Sequence, residues 1–268
     1  MPSERNVDAL PAQDDAAQRG CVEALTHLSL STIPFLVGGT YALRRYTKTA
    51  RDTKDLDIFV LPSDVHRVLS YFEELGYRTE LTFPHWLGKV FVGETLVDII
   101  FSSGNGLARV DECWFTHAVD HDVCGVPTRL CPPEEMLWSK AFVQERERFD
   151  GADVLHLFWH MGTELRWPHL LRRFGPHWRV LLAHLVLFGF AYPDRRDQIP
   201  AWVLEELTAR LATENSEAAN VCNGTLLSRE QYLDDVQAGH YRDSRLRPAG
   251  PMTREQIEIW TAGIKEPH

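Results

Sequence analysis

Apolar residues begin to recur at helical spacing around Cys21, Leu25 and Leu28, which predicts a first helix there. Residues 1–15, with Pro, Ser, Asp and Gln but no periodicity, read as a flexible leader. Ile33 to Val37 has the length of a short buried strand, Gly38-Gly39-Thr40 reads as a turn, and Tyr41 to Tyr46 as a brief helix. Leu56 to Val60 predicts a second strand, and Ser63 to Leu75 a helix that Ser63 and Asp64 can cap. Lys89 to Val92 and Leu96 to Phe101 predict two adjacent strands around Gly93 and Glu94. From Pro132 onward strand signals give way to helical runs at 133–148, 150–161, 167–174, 177–190 and 200–212, separated by Gly and Pro. Residues 213–268 are polar, with a linker-like stretch from Leu246 to Pro251 and a last short helix at 253–262. The pattern predicts an α/β (α+β) fold: a mixed α/β domain over 16–131, a helical domain over 132–212, and a polar tail.

Composition narrows the classes without choosing a function. At 268 residues, 44% hydrophobic and 25% charged, the chain is neither collagen, coiled coil nor wholly disordered. A net charge of −10 makes the molecule as a whole repel polyanions, so contact with RNA would need a local basic patch. Five cysteines without a C-x-x-C suit reduced thiols in a cytoplasm, and the polar, acidic N-terminus lacks the features of a signal peptide. Val180 to Tyr192, the longest apolar stretch, is interrupted by His184 and falls short of the roughly 20 residues that span a bilayer. It predicts a buried helix, and no membrane partner.

The chemistry concentrates in a few positions. Asp55 and Asp57 lie two apart at the head of a predicted strand, so their side chains share a face. Two neighbouring carboxylates repel unless a proton or cation intervenes, and hard oxygen ligands suit Mg²⁺; an exposed, solvated strand start is the plainer reading. Gly38-Gly39 stands at a strand-to-helix turn, where the lack of side chains lets a phosphate approach free backbone N–H groups; a tight turn needing positive φ is the alternative. Asp98 lies inside the apolar run Leu96 to Phe101, where a carboxylate needs a metal or an arginine beside it.

Taken together, Val37-Gly38-Gly39-Thr40-Tyr41-Ala42-Leu43, Arg51 to Lys54, Asp55-Leu56-Asp57-Ile58-Phe59 and Val97-Asp98-Ile99 resemble the nucleotidyltransferase fold of the DNA polymerase β superfamily. Within it the chain is most similar to bacterial abortive-infection (AbiE-type) nucleotidyltransferase toxins. The resemblance implies a nucleotidyltransferase-like mixed sheet followed by a helical C-terminal domain. It also implies that Gly38, Gly39, Thr40, Arg51 and Lys54 contact the nucleotide, and that Asp55, Asp57 and Asp98 bind two Mg²⁺ ions, or Mn²⁺, with Asp98 also helping to activate the acceptor. The family's later Lys, Arg and Asp pattern resembles Glu134 to Lys140 followed by Arg146, Arg148, Asp150 and Asp153. Lys140 would contact phosphates, with Asp150 or Asp153 orienting it or the base. Glu145-Arg146-Glu147-Arg148 stretches the spacing, and which Asp is equivalent stays open. The match covers about residues 30 to 160.

Other constellations carry less. Asp153, His156 and His160 share a helix face but form no H-E-x-x-H, which favours structural roles. His117, His121, Cys124 and Cys131 lack paired zinc spacing. Arg44, Arg45, Lys48, Arg51 and Lys54 form one basic tract; Arg166, Arg172, Arg173, His177 and Arg179 form another beside Trp167 and Trp178. Each can be an RNA contact or a solvated helix face with triphosphate contacts.

The expected function is transfer of a nucleoside monophosphate from an NTP, ATP among them, to a hydroxyl of an RNA, a protein or a small molecule, with pyrophosphate leaving. The alternative is a non-catalytic nucleotide- or RNA-binding relative working with an antitoxin protein in a toxin–antitoxin system. A glycosyltransferase using the D-x-D pair accounts for neither Gly38-Gly39 nor Asp98.

Overall fold

The computed structural model describes residues 15–48, 53, 55–214 and 220–263. The described residues divide into two compact units, one formed by residues up to 82 with 87–101 and 110–131, the other by 83–86, 102–109 and the chain from 132 onward.

In the first unit the order is α1 (Asp15–Leu30), β1 (Leu36–Val37), α2 (Gly39–Thr47), β2 (Asp55–Phe59), α3 (Val65–Glu74), β3 (Arg78–Phe83), β4 (Leu87–Val92), β5 (Thr95–Ile100), α4 (Glu112–Thr116), β6 (Val119–Val123) and β7 (Val126–Leu130). The strands make one seven-stranded sheet in the order β3-β4-β5-β2-β1-β7-β6. The sheet is mixed: β2 runs parallel to β5 and β1 to β7, while β1–β2, β4–β5 and β6–β7 are antiparallel.

The side-chain period of two builds the core. Leu56 and Ile58 of β2 lie in register with Val97 and Ile99 of β5, and all four are buried. α3 buries Val65, Val68, Leu69 and Phe72, a single stripe at i, i+3, i+4 and i+7, and α1 buries Cys21, Ala24, Leu25 and Leu28 in the same way. The sequence pattern left β3, α4, β6 and β7 unplaced. β3 and β6 carry runs of consecutive polar residues and are partly exposed, so no apolar run announces them.

The second unit holds α5 (Pro133–Ala141), α6 (Gly151–Met161), α7 (Trp167–Phe174), α8 (Trp178–Ala191), α9 (Ala201–Thr213), β8 (Val221–Cys222), α10 (Leu233–Gln237), β9 (Arg242–Asp243) and α11 (Arg254–Ala262). The helix expected over 133–148 ends at Ala141. Gln144 and Phe149 pair in a β-bridge, Glu145 N–H donates to the Arg148 carbonyl at 2.9 Å, and Asp150 N–H to that of Val143 at 3.1 Å. A tight hairpin thus carries the charged run Glu145 to Arg148 outward and returns the chain at Asp150. Strand pairing also persists past Pro132, in the two residues each of β8 and β9. The linker-like stretch is tied down, with Arg247 N–H donating to the Met252 carbonyl at 2.9 Å and Gly250 N–H to that of Leu246 at 2.9 Å. α11 starts with a reciprocal cap between Thr253 and Gln256. α8 buries Leu181, Leu182, His184, Leu185 and Phe188, but Val186, Leu187 and Phe190 face outward, so the expected buried helix is buried on one side. Among the described residues no helix is long and apolar enough to cross a membrane.

Candidate active site

β1 ends at Val37 and α2 begins at Gly39, leaving Gly38 as the hinge. Gly38 N–H donates to the Asp57 carbonyl at 2.9 Å and its own carbonyl accepts from Ala42 N–H at 3.2 Å, so this residue joins the sheet to the helix. A Cβ here would lie 2.3 Å from the Phe59 ring. Gly39 has φ +53, the left-handed region, and a Cβ on it would lie 1.6 Å from Asp57 Oδ2. Both positions therefore require glycine for local reasons, and the Asp57 carboxylate lies against the turn. The amides of Gly39, Thr40 and Tyr41 open α2, and helix geometry supplies them no partner within it. Tyr46 fastens the other end of α2 by donating to the Cys131 carbonyl at 2.8 Å.

Asp57 and Asp98 face each other in register across the parallel pair β2–β5, on the face opposite Leu56, Ile58, Val97 and Ile99. Asp55, two residues before Asp57, is exposed and pairs in register with Leu96. Like charges directly opposite one another on a sheet are destabilising. Lys89 of β4 is the register partner of Asp98 on its other side, which places a cation on the same face. Lys89 was not singled out from the sequence, because only the strand register puts it there. Arg51 and Lys54 lie outside the described residues.

In the second unit, the returning hairpin brings both candidate acids to one amine. Lys140 Nζ donates to Asp150 Oδ2 and to Asp153 Oδ2, each at 2.9 Å, and Arg148 makes a paired contact with Asp150 at 3.1 Å. The stretched spacing is therefore closed by the hairpin, and Asp150 and Asp153 both hold the lysine. Burial pushes the Asp150 carboxyl up, but the charges and hydrogen bonds of Lys140 and Arg148 outweigh it and hold it below the usual carboxylate range.

The second basic tract is largely engaged within its own unit. Arg166 pairs with Glu134 at 2.9 Å, Arg173 with Glu135 at 2.9 Å, and Arg179 with Glu214. Trp167 and Trp178 are buried. Stacking of bases uses exposed rings, which these two tryptophans do not supply, while Arg172 stays exposed. Of the shared helix face, Asp153 holds Lys140, the His156 ring lies 6.4 Å from Tyr192, and that of His160 stacks on Trp159 at 5.0 Å.

Among the described residues, no three His, Cys, Asp or Glu side chains converge closely enough to cage a metal ion. Mg²⁺ commonly takes one or two carboxylates and completes its shell with water and substrate phosphate oxygens. Asp57 and Asp98, hard oxygen donors in register, fit that lesser requirement. Asp55 stands at the exposed edge of the pair.

No family model and no curated protein sequence matches the chain. Solved structures do. One is an antibiotic-resistance factor, ANT(2'')-Ia, at 14% identity over 75% of this chain and 94% of that one, with a TM-score of 0.37. Another is the lincosamide antibiotic adenylyltransferase LnuA in its lincomycin-bound form, at 14% identity over 52% and 94%, TM-score 0.39. A third is an antigenic nucleotidyltransferase-like protein from Paracoccidioides brasiliensis, at 16% identity over 73% and 99%, TM-score 0.42.

Proposed function

We propose that the chain is a metal-dependent nucleotidyltransferase that moves a nucleoside monophosphate from an NTP to an acceptor hydroxyl and releases pyrophosphate. One observation carries the reading: Asp57 and Asp98 face each other across β2–β5, and the Asp57 carboxylate packs against the glycine turn that opens α2. The first amides of α2, from Gly39 on, would face a triphosphate, where N–H groups and the helix dipole favour negative charge. Asp57 and Asp98, with Asp55 at the edge, are the residues that would hold Mg²⁺ or Mn²⁺. The metal ions, when bound, neutralise phosphate charge and stabilise the attacking and leaving oxygens. In this proposal Asp98 also accepts the acceptor hydroxyl's proton, and the glycine turn would position the triphosphate for in-line attack. Within the second unit, Asp150 and Asp153 fix the amine of Lys140. The acceptor belongs to the class of RNA ends, proteins or small hydroxylated molecules. An AbiE-type toxin role with an antitoxin partner rests on the motif resemblance alone.

The test is incubation of the purified protein with Mg²⁺, each α-labelled NTP and cell extract, with Asp57→Asn protein alongside. Label on RNA, protein or a small molecule in the wild-type reaction, lost in the variant, supports transfer and names the acceptor class. A second reading is a non-catalytic nucleotide- or RNA-binding relative that uses the amides opening α2 for binding alone. It predicts NTP binding with no label transferred and no pyrophosphate released.

A further inference from the structure

Within the first unit, α1 and the β6–β7 turn bring two cysteines together. Cys21 on α1 is 1% exposed, and its Sγ lies 3.5 Å from Sγ of Cys124, 103 residues later in the chain. Cys124 is half-buried and occupies the first position of a two-residue hairpin turn. It has φ 54, and Gly125 after it has φ 83, the conformation of a type I′ turn in which Asn, Asp or Gly is the usual first residue. The turn is held by Asp122, whose carboxylate accepts from Gly125 N–H at 2.7 Å. A cysteine is thus kept in the left-handed region with its sulfur aimed at the only thiol α1 contains.

We propose that Cys21 and Cys124 form a reversible, hydroperoxide-driven disulfide, a modification site that locks α1 to the β6–β7 turn. A disulfide needs an S–S separation of roughly 2.05 Å, so the sulfurs must close by about 1.5 Å from 3.5 Å. The surroundings divide the labour. Tyr41 and Arg44 of α2 and Asp122 of β6 face Cys124 besides Cys21, and the Tyr41 hydroxyl lies 3.8 Å from its sulfur. The Cys21 hydrogen bond, with help from Tyr41 and Arg44, outweighs burial and Asp122 and brings the Cys124 thiol down to about 7. The same hydrogen bond and burial push the Cys21 thiol up. Cys124 is therefore the reachable nucleophile, and Cys21 the buried thiol that resolves it.

The chemistry proceeds in two balanced steps. The Cys124 thiolate attacks one oxygen of the hydroperoxide; the O–O bond breaks, the other oxygen leaves as hydroxide or alkoxide and takes up a proton, and Cys124 becomes a sulfenic acid. The Cys21 sulfur then attacks the Cys124 sulfur. The S–O bond breaks as the S–S bond forms, and the hydroxyl leaves with the Cys21 thiol proton as water. Two thiols lose two electrons and two protons, and the peroxide is reduced. Attack by a dithiol such as dithiothreitol reverses the change.

The experiment treats the full chain with hydrogen peroxide, blocks remaining thiols with N-ethylmaleimide, and reads intact mass and peptide maps. The expected result is the loss of two maleimide adducts from the five thiols, a crosslinked Cys21–Cys124 peptide, and recovery of all adducts after dithiothreitol. Cys124→Ser protein is expected to keep every remaining thiol alkylatable, and Cys21→Ser protein to carry a dimedone-reactive sulfenic acid on Cys124. An unchanged thiol count in the wild-type chain, sulfinate on its Cys124, or a crosslink through Cys113, Cys131 or Cys222 overturns the proposal. The readout involves no nucleotide, so it stands or falls apart from the proposed transferase activity.

Discussion

Gly39 and Asp57 are coupled by exclusion: a Cβ at Gly39 would lie 1.6 Å from Asp57 Oδ2, while φ +53 already disfavours any side chain there. Gly39→Ala is expected to destabilise the first unit by about 2–4 kcal/mol, combining left-handed strain with the overlap. In Asp57→Ala protein the overlap disappears, so the same Gly39→Ala change should cost about 1–2 kcal/mol, the conformational part alone. Urea unfolding of the four proteins in a double-mutant cycle measures the difference, and strict additivity would show that the carboxylate does not press on the turn.

Asp57 and Asp98 answer differently to charge removal with and without metal. With Lys89 in register beside Asp98, Asp98→Asn is expected to change metal-free stability by no more than about 1 kcal/mol. Millimolar Mg²⁺ with ATP should raise the melting temperature of the wild-type chain and not of Asp57→Asn or Asp98→Asn protein. Nucleotide transfer should fall about 100-fold or more in either variant. Equal ligand-induced shifts in all three proteins would remove both residues from a metal site.

Lys140 sits between two acids, and deleting its charge leaves them facing each other. Side-chain exposures of 16% for Lys140, 11% for Asp150 and 15% for Asp153 mean that water screens them poorly. Lys140→Met is expected to cost about 2–4 kcal/mol. Adding Asp153→Asn to that variant should restore part of the loss, because Arg148 can still neutralise Asp150. Chemical denaturation of the single and double variants decides it.

The second unit should lose stability on the acid side in two stages. Burial holds His184 below the usual histidine range against the opposing hydrogen bond to the Ala141 carbonyl, and burial also lowers His177 and His85. A histidine lowered by folding binds its proton more readily in the unfolded chain. Its contribution is therefore present above about pH 6.5 and is lost as pH falls through the folded value. Glu134, Asp150 and Asp243 are also lowered, their ion pairs outweighing burial, so their contribution is present above about pH 4 and lost below it. Urea midpoints are expected to hold level between pH 8 and 7, decline below pH 6.5, and decline again in the carboxylate range. His184→Gln, which keeps a donor for the Ala141 carbonyl, should flatten the first decline.

The sequence by itself determined what depends on near neighbours. The helical stripes of α3 and α7, the apolar runs of β2 and β5 and the last helix, α11, follow from local spacing. The same holds for the glycine pair between strand and helix, and for the shared face of Asp55 and Asp57. Contacts between distant segments were decided only by the tertiary structure. A strand's alternation says which side a residue takes, whereas the residue opposite it is set by register, and register arises from packing the whole sheet. That is why Asp98 meets Asp57 on one side and Lys89 on the other. For the same reason a helical pattern running to 148 could not reveal that α5 stops at Ala141 and that a hairpin folds Asp150 back onto Lys140. The burial of Glu135 against Arg173, and the meeting of Cys21 with Cys124, likewise exist only once remote elements pack, because no local periodicity encodes a partner 38 or 103 residues away.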